Sequence, residues 1–447
     1  MQKKKVLVYG SLESLHNFFS DKISCDYEVV AALSDEPEKI SFTRNGEPLE
    51  IFAPQNLPNF IYELVDGIIF TNFAEKKDVI KNFLAKKFSP QKIILWNAQK
   101  GWGTLNLHNK DGTQIVYFCG LEFHIRNEDD LKFFYETFSR LQNQRKLKNL
   151  NPKLYPAFLE KNFQQITGKP LDFKNLQTFT EKLQWIKVFD ATPLKSRLAD
   201  KYLVRSWVAE KIGEEYLIPL LGVWDNFDDI DFDALPNQFV LKCNHGSAMN
   251  IICRDKKTFD KQRAREKINA WLAFDFATLS TELHYTRINR KIIAEKFMVN
   301  GDNTDLTDYK FVCFNGKAPY CKATTERSTF IRCTYFDMNW QYTNFSRNDY
   351  PMSDHPERIS KPKNFELMKK LAAKLSEGFA HVRVDFYEIQ GKVYFGEMTF
   401  TPGAGNFCYK SAGTDEFLGN LLKLPELTLP PKLFNSVDYR VRQKFLT

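Results

Sequence analysis

The 447-residue sequence predicts a mixed α/β and α+β protein in consecutive parts. A Rossmann-like parallel-sheet domain is expected over residues 1–125 and a helical linker over 126–150. A larger region of strands, hairpins and helices is expected over 151–447. Two observations predict this. In the first hundred residues short apolar β-rich runs alternate with helical patterns, which argues for a parallel sheet with helices on its faces. From about Asn151 the alternation stops, and strands begin to carry single charged residues inside apolar runs. At roughly 100–200 residues per domain, two large domains are the simplest division.

The elements follow in order. Residues 5–9 (Lys-Val-Leu-Val-Tyr) form a strand ending at Gly10, a helix is expected over 14–21, and Tyr27–Leu33 reads as the second strand. Residues 66–70 and 92–96 read as strands, with a helix over 77–87 between them. Residues 101–120 read as a polar hairpin, and 128–150 as a helix turning basic at its end. A dinucleotide fingerprint needs Gly-x-Gly-x-x-Gly, so that the backbone can approach a pyrophosphate. Here Gly10-Ser11-Leu12-Glu13-Ser14-Leu15 keeps only the first glycine and puts Glu13 beside the phosphates. A structural or sugar-nucleotide-docking role therefore suits this unit better than redox chemistry.

Composition excludes several classes. Hydrophobic residues at 43% and charged residues at 26% fit a globular chain, not a disordered one. The net charge of +8 is a mild excess spread over short clusters, not the concentrated stripe of a nucleic-acid binder. It suits solvated surface and anionic substrates. No apolar run is long enough for a membrane span, and none has the form of a signal peptide. The eight cysteines are scattered without a Cys-x-x-Cys pair, as expected of reduced thiols in a cytoplasmic protein. The basic run 145–148 offers at most a weak peripheral contact with a membrane face.

The second half carries the chemistry. Residues 195–213 read as a basic helix closed by Gly213 and carrying Lys201. Phe239–Cys243 is a strand with Lys242 inside it, followed by the small-residue turn Asn244-His245-Gly246-Ser247 and a second strand over 250–254. A lysine beside such a turn suits a polyphosphate, with the ammonium and backbone N–H groups both facing it; a surface lysine on an edge strand is the plainer reading. The run 291–298 ends in Glu295-Lys296-Phe297-Met298, an apolar strand leading into chain that can present backbone groups to adenine. Asp308 and Lys310 share one face of the next strand. Residues 381–403 read as a hairpin with Arg383 and Asp385 on one arm and Glu397 on the other. Carboxylates in apolar sequence need a partner: Mg²⁺ bridging nucleotide phosphates, or a salt bridge to Arg or Lys.

In this order the pieces resemble the ATP-grasp fold. The nearer resemblance is to the TupA-like (teichuronopeptide-biosynthesis) ATP-grasp family of bacterial surface-polysaccharide loci. It is carried by Ala199-Asp200-Lys201-Tyr202, the segment Phe239 to Ser247, Asp308-Tyr309-Lys310, Arg383-Val384-Asp385-Phe386-Tyr387, and Tyr394 through Gly403, over about residues 150–430. The resemblance implies an ATP-grasp domain over 151–447 and the cofactors ATP and Mg²⁺. It implies that Lys201, Lys242 and the loop His245, Gly246 and Ser247 meet ATP phosphates. Glu295, Lys296, Phe297, Met298 and Asp308 would complete the ATP site. Asp385, Glu397 and Thr399 would bind Mg²⁺, with Thr399 standing where the broad pattern has Asn, and Lys310 and Arg383 would be catalytic. Ala248 follows where a further glycine would make the loop more flexible.

The activity so implied is an ADP-forming carboxylate–amine ligase. Its expected substrates are a uronic acid of a capsule or other surface polysaccharide, or its precursor, and an amino acid or amine. The alternatives are a glycosyltransferase, an ATP-grasp small-molecule kinase and a non-catalytic scaffold. A metal-dependent glycosyltransferase would want Asp-x-Asp at a strand end; the acidic run 228–233 has that spacing but reads as a solvated turn.

Overall fold

The structure is a computed structural model. It describes residues 121–148, 150–151, 154–299, 306–326 and 330–425, and before these 4–9, 15, 27–33, 42–44, 47–49, 51–53, 67–70, 93–95, 106–110 and 113–118. The chain forms two compact units. One comprises Met1–Asn143 with Lys261–Ala270, the other Gln144–Asp260 with Trp271–Thr447.

The first unit holds a five-stranded sheet of β1 (Lys4–Tyr9), β2 (Tyr27–Leu33), β5 (Ile51–Phe52), β6 (Gly67–Phe70) and β7 (Ile93–Leu95). The order is β5-β2-β1-β6-β7 and every pairing is parallel. Leu7, Val8 and Tyr9 are all buried, as a central strand covered on both faces requires. The helices expected over 14–21 and 77–87 lie outside the described residues, Leu15 apart. β3 (Phe42–Arg44) and β4 (Glu47–Leu49) pair as a small antiparallel ribbon. A three-stranded antiparallel sheet of β8 (Asn106–Lys110), β9 (Thr113–Phe118) and β10 (Leu121–Ile125) follows, where the polar hairpin was expected. Helix α1 (Glu128–Lys148) then starts at Asn127, whose side chain accepts from the Asp130 N–H at 3.0 Å.

The second unit opens with α2 (Tyr155–Thr167) and α3 (Phe179–Phe189). A reciprocal capping box between Thr178 and Glu181 starts α3. The basic helix expected over 195–213 is instead two helices, α4 (Pro193–Ala199) and α5 (Val204–Lys211). Asp200 breaks it: its Oδ1 accepts from the N–H groups of Tyr202 (2.8 Å) and Leu203 (3.1 Å), satisfying the orphan donors of a new helix start. Lys201 therefore sits on a turn, not on a helix.

Two antiparallel sheets build the rest. The smaller, in the order β11-β14-β12-β13, uses β11 (Leu220–Trp224), β12 (Phe239–Cys243), β13 (Asn250–Cys253) and β14 (Ile292–Lys296). Helix α6 (Lys261–Ala273) lies between β13 and β14 in sequence and belongs to the first unit up to Ala270. The larger sheet, in the order β17-β16-β15-β18-β19, uses β15 (Asp308–Phe314), β16 (Lys317–Thr325), β17 (Arg332–Asp337), β18 (His381–Ile389) and β19 (Lys392–Thr399). Helix α7 (Phe365–Ser376) buries Phe365, Met368, Leu371, Ala372 and Leu375 against one face of this sheet, an i, i+3, i+4 stripe. Helix α8 (Thr414–Leu421) packs with α3 around Phe179, Leu183 and Leu418. Among the described residues no helix is long and apolar enough to cross a membrane. The six described cysteines are free, and all but Cys408 are buried.

Candidate active site

Strand pairing in the larger sheet creates one transverse row. Lys322 on β16 stands opposite Lys310 on β15, Lys310 opposite Asp385 on β18, and Asp385 opposite Glu397 on β19. Directly opposed residues share a face, so four charged side chains from four strands point the same way. Asp308 and Arg383 lie two residues along the same face. Glu397 reaches it through a β-bulge. Asp385 pairs with Glu397 while Phe386 pairs with Phe395, so Gly396 is left without a partner. A Cβ at Gly396 would sit 3.1 Å from the Tyr387 ring and 3.2 Å from the Asp385 carbonyl oxygen. Glycine is what lets the strand take up the extra residue there.

These side chains line a cavity of about 350 Å³ together with Lys242, Glu295 and Lys201. On β12, Phe239, Leu241 and Cys243 are buried in the core while Lys242 alternates to the other side. Lys242 Nζ lies 2.6 Å from Glu295 Oε2, and Arg205 Nη1 is 3.3 Å from the other oxygen of Glu295. Lys201 is held by its backbone, whose N–H donates to the Asn244 carbonyl at 3.1 Å. Its ammonium donates to the Gly246 carbonyl at 2.5 Å and stands 3.6 Å from Glu397 Oε2.

The centre is tightly coupled. Arg383 grips Asp385 with two bonds of 2.7 and 2.8 Å. Lys310 Nζ is 2.6 Å from Asp385 Oδ2 and 3.5 Å from Asp308 Oδ2. Burial alone would push the Lys310 ammonium down, but Asp385 and Asp308 carry it above the usual lysine range. Burial would likewise raise the Glu397 carboxyl, but Lys201, Arg383 and Lys310 hold it well below the usual carboxylate range. One nitrogen, Arg383 Nη2, lies 2.8 Å from Asp385 Oδ2, 2.9 Å from Glu397 Oε1 and 3.0 Å from Thr399 Oγ1. The three groups expected as Mg²⁺ ligands thus converge on one position that already suits a cation. Two carboxylates and a hydroxyl are an all-oxygen set fitting Mg²⁺, which takes its other ligands from phosphates and water. No cluster of three or more His, Cys, Asp or Glu side chains suited to a metal occurs among the described residues.

The other expected residues divide. Ser247 and Asp308 line the cavity. His245 is buried, faces the Trp271 carbonyl at 3.1 Å and does not line it. Burial pushes its imidazole down to about 4, so it is neutral at physiological pH. Gly246 is sterically required, since a Cβ would meet Phe276 at 2.6 Å and the Met249 sulfur at 2.8 Å. Ala248, where a glycine seemed apt, adopts φ +59°. Lys296, Phe297 and Met298 do not line the cavity; Lys296 is exposed, and the Phe297 ring lies 5.1 Å from the Arg254 guanidinium. The acidic run 228–233 is an exposed turn apart from buried Ile230 and Phe232, with Asp231 Oδ1 accepting from the Asp233 N–H.

Sequence reasoning missed Lys322 and Thr324, both buried and both lining the cavity. The available signal was a lone lysine inside the apolar strand Lys317–Thr325, at the spacing that puts Lys322 and Thr324 on one face.

The family expectation is met by a match to a known family. Residues 181–423 match the family described as TupA-like ATPgrasp. No curated protein matches the chain. Among solved structures, a D-alanine–D-alanine ligase from Bacillus anthracis is similar, at 12% identity over 89% of this chain and 86% of that one, with a TM-score of 0.27. An N5-carboxyaminoimidazole ribonucleotide synthetase from Thermotoga maritima matches at 10% identity over 89% and 68%, with a TM-score of 0.24. A RiPP-associated ATP-grasp ligase from Chryseobacterium gregarium, in complex with ADP and a leader and core peptide, matches at 12% identity over 79% and 87%, with a TM-score of 0.24. The family match spans every residue lining the cavity, and the chain belongs to the TupA-like ATP-grasp family.

Proposed function

We propose that this chain is an ATP- and Mg²⁺-dependent carboxylate–amine ligase that makes an amide through an acylphosphate. The observation that carries the proposal is the convergence of Lys201, Lys242, Lys310, Arg383, Asp385 and Glu397 on one cavity within a chain of this family. Lys201 and Lys242 are assigned to the nucleotide phosphates, with Ser247 and the loop around it covering them. Glu295 and the following backbone to Met298 are assigned to the nucleoside. Asp385, Glu397 and Thr399 would hold Mg²⁺, which supplies charge neutralisation between phosphates when bound.

In the first step a carboxylate oxygen of the acid attacks the γ-phosphorus, and the bond to the bridging oxygen of ADP breaks. Lys310 and Arg383 face the charge that develops on the transferring group. In the second step the amine nitrogen attacks the acyl carbon, phosphate leaves, and the amine proton passes to the departing phosphate or to water. No enzyme nucleophile is required; the chain contributes positioning and fixed positive charge. The substrate class proposed is a uronic acid of a capsule or other surface polysaccharide, or its precursor, joined to an amino acid or amine in the cytoplasm. Residues 1–125 are proposed as a Rossmann-like domain, 126–150 as its helical linker and 151–447 as the ATP-grasp domain.

The test is product analysis. Purified protein is incubated with Mg·ATP, UDP-glucuronate or free uronates, and pooled amino acids and amines. The Asp385→Asn, Glu397→Gln double variant is the control. ADP and phosphate that appear only with acid and amine together establish the ligase. ADP with a single acceptor would make it a kinase. The absence of both turnover and thermal stabilisation by Mg·ATP would overturn the reading.

A further inference from the structure

The charges lining the cavity do not balance, and the surplus falls on one residue. Lys201, Lys242, Lys310 and Arg383 each face a carboxylate at 3.6 Å or less. The fifth cation, Lys322, has no carboxylate within ion-pair distance among the described residues, although only 6% of it is exposed. Its neighbour across the strands is another cation, Lys310, and like charges directly opposed in a sheet are unfavourable. Burial pushes the Lys322 amine down to about 7, with Cys333 opposing this and Arg383, Arg347 and Lys310 adding to it. An unpaired amine at this depth costs stability, and such a cost persists where a ligand offsets it.

Its place in the row indicates which ligand. Lys322 is three strands from Glu397, about 14 Å at the usual spacing of some 4.8 Å per strand. It lies beyond Lys310, at the opposite end from Lys201. The wall around it is Thr324, Ile331, Cys333 and Tyr350, a mixture of apolar and hydroxyl groups. That surface suits an organic acid better than a polyphosphate.

We propose that Lys322 binds a carboxylate of the acid substrate, and that it sets the requirement for an anionic acceptor. The proposal rests on the ligase reading above and adds to it a residue and a subsite.

The test uses the full chain with Mg²⁺ and a non-hydrolysable ATP analogue. Lys322 is labelled with succinimidyl acetate and its modification read by peptide mass spectrometry. Competitors are glucuronate, galacturonate, UDP-glucuronate and glutamate, each against the counterpart in which one carboxylate is replaced by a neutral group: glucose, galactose, UDP-glucose or glutamine. At least one carboxylate is expected to slow labelling by about tenfold, as loss or gain of a charge-assisted contact implies, while its counterpart does not. Lys322→Met is expected to lose binding of that carboxylate, to keep its thermal response to Mg·ATP and to melt a few degrees higher, because an unpaired buried amine has gone. Lys322→Arg should retain the carboxylate. Protection by the nucleotide analogue alone, with loss of the Mg·ATP response in Lys322→Met, would assign Lys322 to the nucleotide and overturn the proposal. Protection by none of the carboxylates would overturn it too. Absence of any Mg·ATP response in the unaltered chain would instead defeat the ligase reading, which keeps the two failures apart.

Discussion

The two faces of the larger antiparallel sheet, β17-β16-β15-β18-β19, use the same strands for opposite ends. On one face Tyr309, Phe311, Cys313, Val382, Val384 and Phe386 meet helix α7, and Phe311 stacks on Phe365 with ring centroids 5.6 Å apart. On the other, Lys310, Lys322, Arg383 and Asp385 line the cavity. The apolar face gains stability from area removed from water. The charged face gains little, because desolvation of each ion offsets most of the attraction within its pair. A period of two places these environments on alternate residues of one strand, so a site of buried charge stands directly on the core that sustains it.

Four changes break or sharpen that contrast. The largest effect is expected from Phe311→Ala on the apolar face, about 3–5 kcal/mol of lost stability. Calorimetric or denaturant unfolding would show it, and the folded fraction should still be stabilised by Mg·ATP. A loss of the nucleotide response without a loss of stability would mean that the faces are not separable in this way.

Next is Gly396→Val, which crowds the bulge against Tyr387 and the Asp385 carbonyl at about 1–3 kcal/mol. A paired residue at 396 would also turn Glu397 and Thr399 toward α7. Deleting Gly396 instead leaves Glu397 opposite Asp385 and Phe395 opposite Phe386 in an unbroken ladder. The valine variant should lose its thermal response to Mg·ATP while the deletion keeps it; the reverse result would show that the bulge does not aim Glu397.

Third is acid. His381 lies at the start of β18, buried between Phe179 and Phe314, with its Nδ1 2.9 Å from the Cys313 carbonyl. Burial pushes it down from 6.5 to about 3, with the Cys313 carbonyl opposing and Lys195 and Arg383 adding. Between those values the unfolded chain binds the extra proton. Its stabilising share is therefore full above pH 6.5 and falls as pH drops, by up to about 1.4 kcal/mol per pH unit. His381→Gln should flatten the acid limb of a stability–pH curve, and an unchanged slope would exclude His381 as a contributor. The smallest effect is expected from Ala248→Gly, which relieves a left-handed alanine at φ +59° and should stabilise the chain by about 0.5–1 kcal/mol in denaturant melts.

Much of the site was legible along the chain because strand periodicity is local. Asp308 with Lys310, and Arg383 with Asp385, are two residues apart, so one rule puts each pair on a common face. What depends on pairing between strands was not legible. Strict alternation puts Glu397 on the face of Val393 and Phe395; only the β18–β19 register reveals that Gly396 is skipped. Lys322 is marked within its strand only as a lone lysine; that it faces another cation shows when β16 is laid beside β15. The break at Asp200 was hidden because its cap satisfies backbone donors within an otherwise helical pattern. His245 sits in a motif that suggests a ligand contact, yet its ring faces the interior.

The row of charges also constrains how this protein can diverge. Losing Asp385 leaves Lys310 only the longer pair with Asp308 and leaves Arg383 to Glu397, and losing Glu295 takes the carboxylate from both Lys242 and Arg205. Neutral drift at such positions must pass through paired substitutions, so among homologues these residues should change together or stay fixed. Lys322 has no such tie among the described residues. Its evolutionary partner is the molecule it meets, and position 322 is where lineages acting on different acceptors should part first.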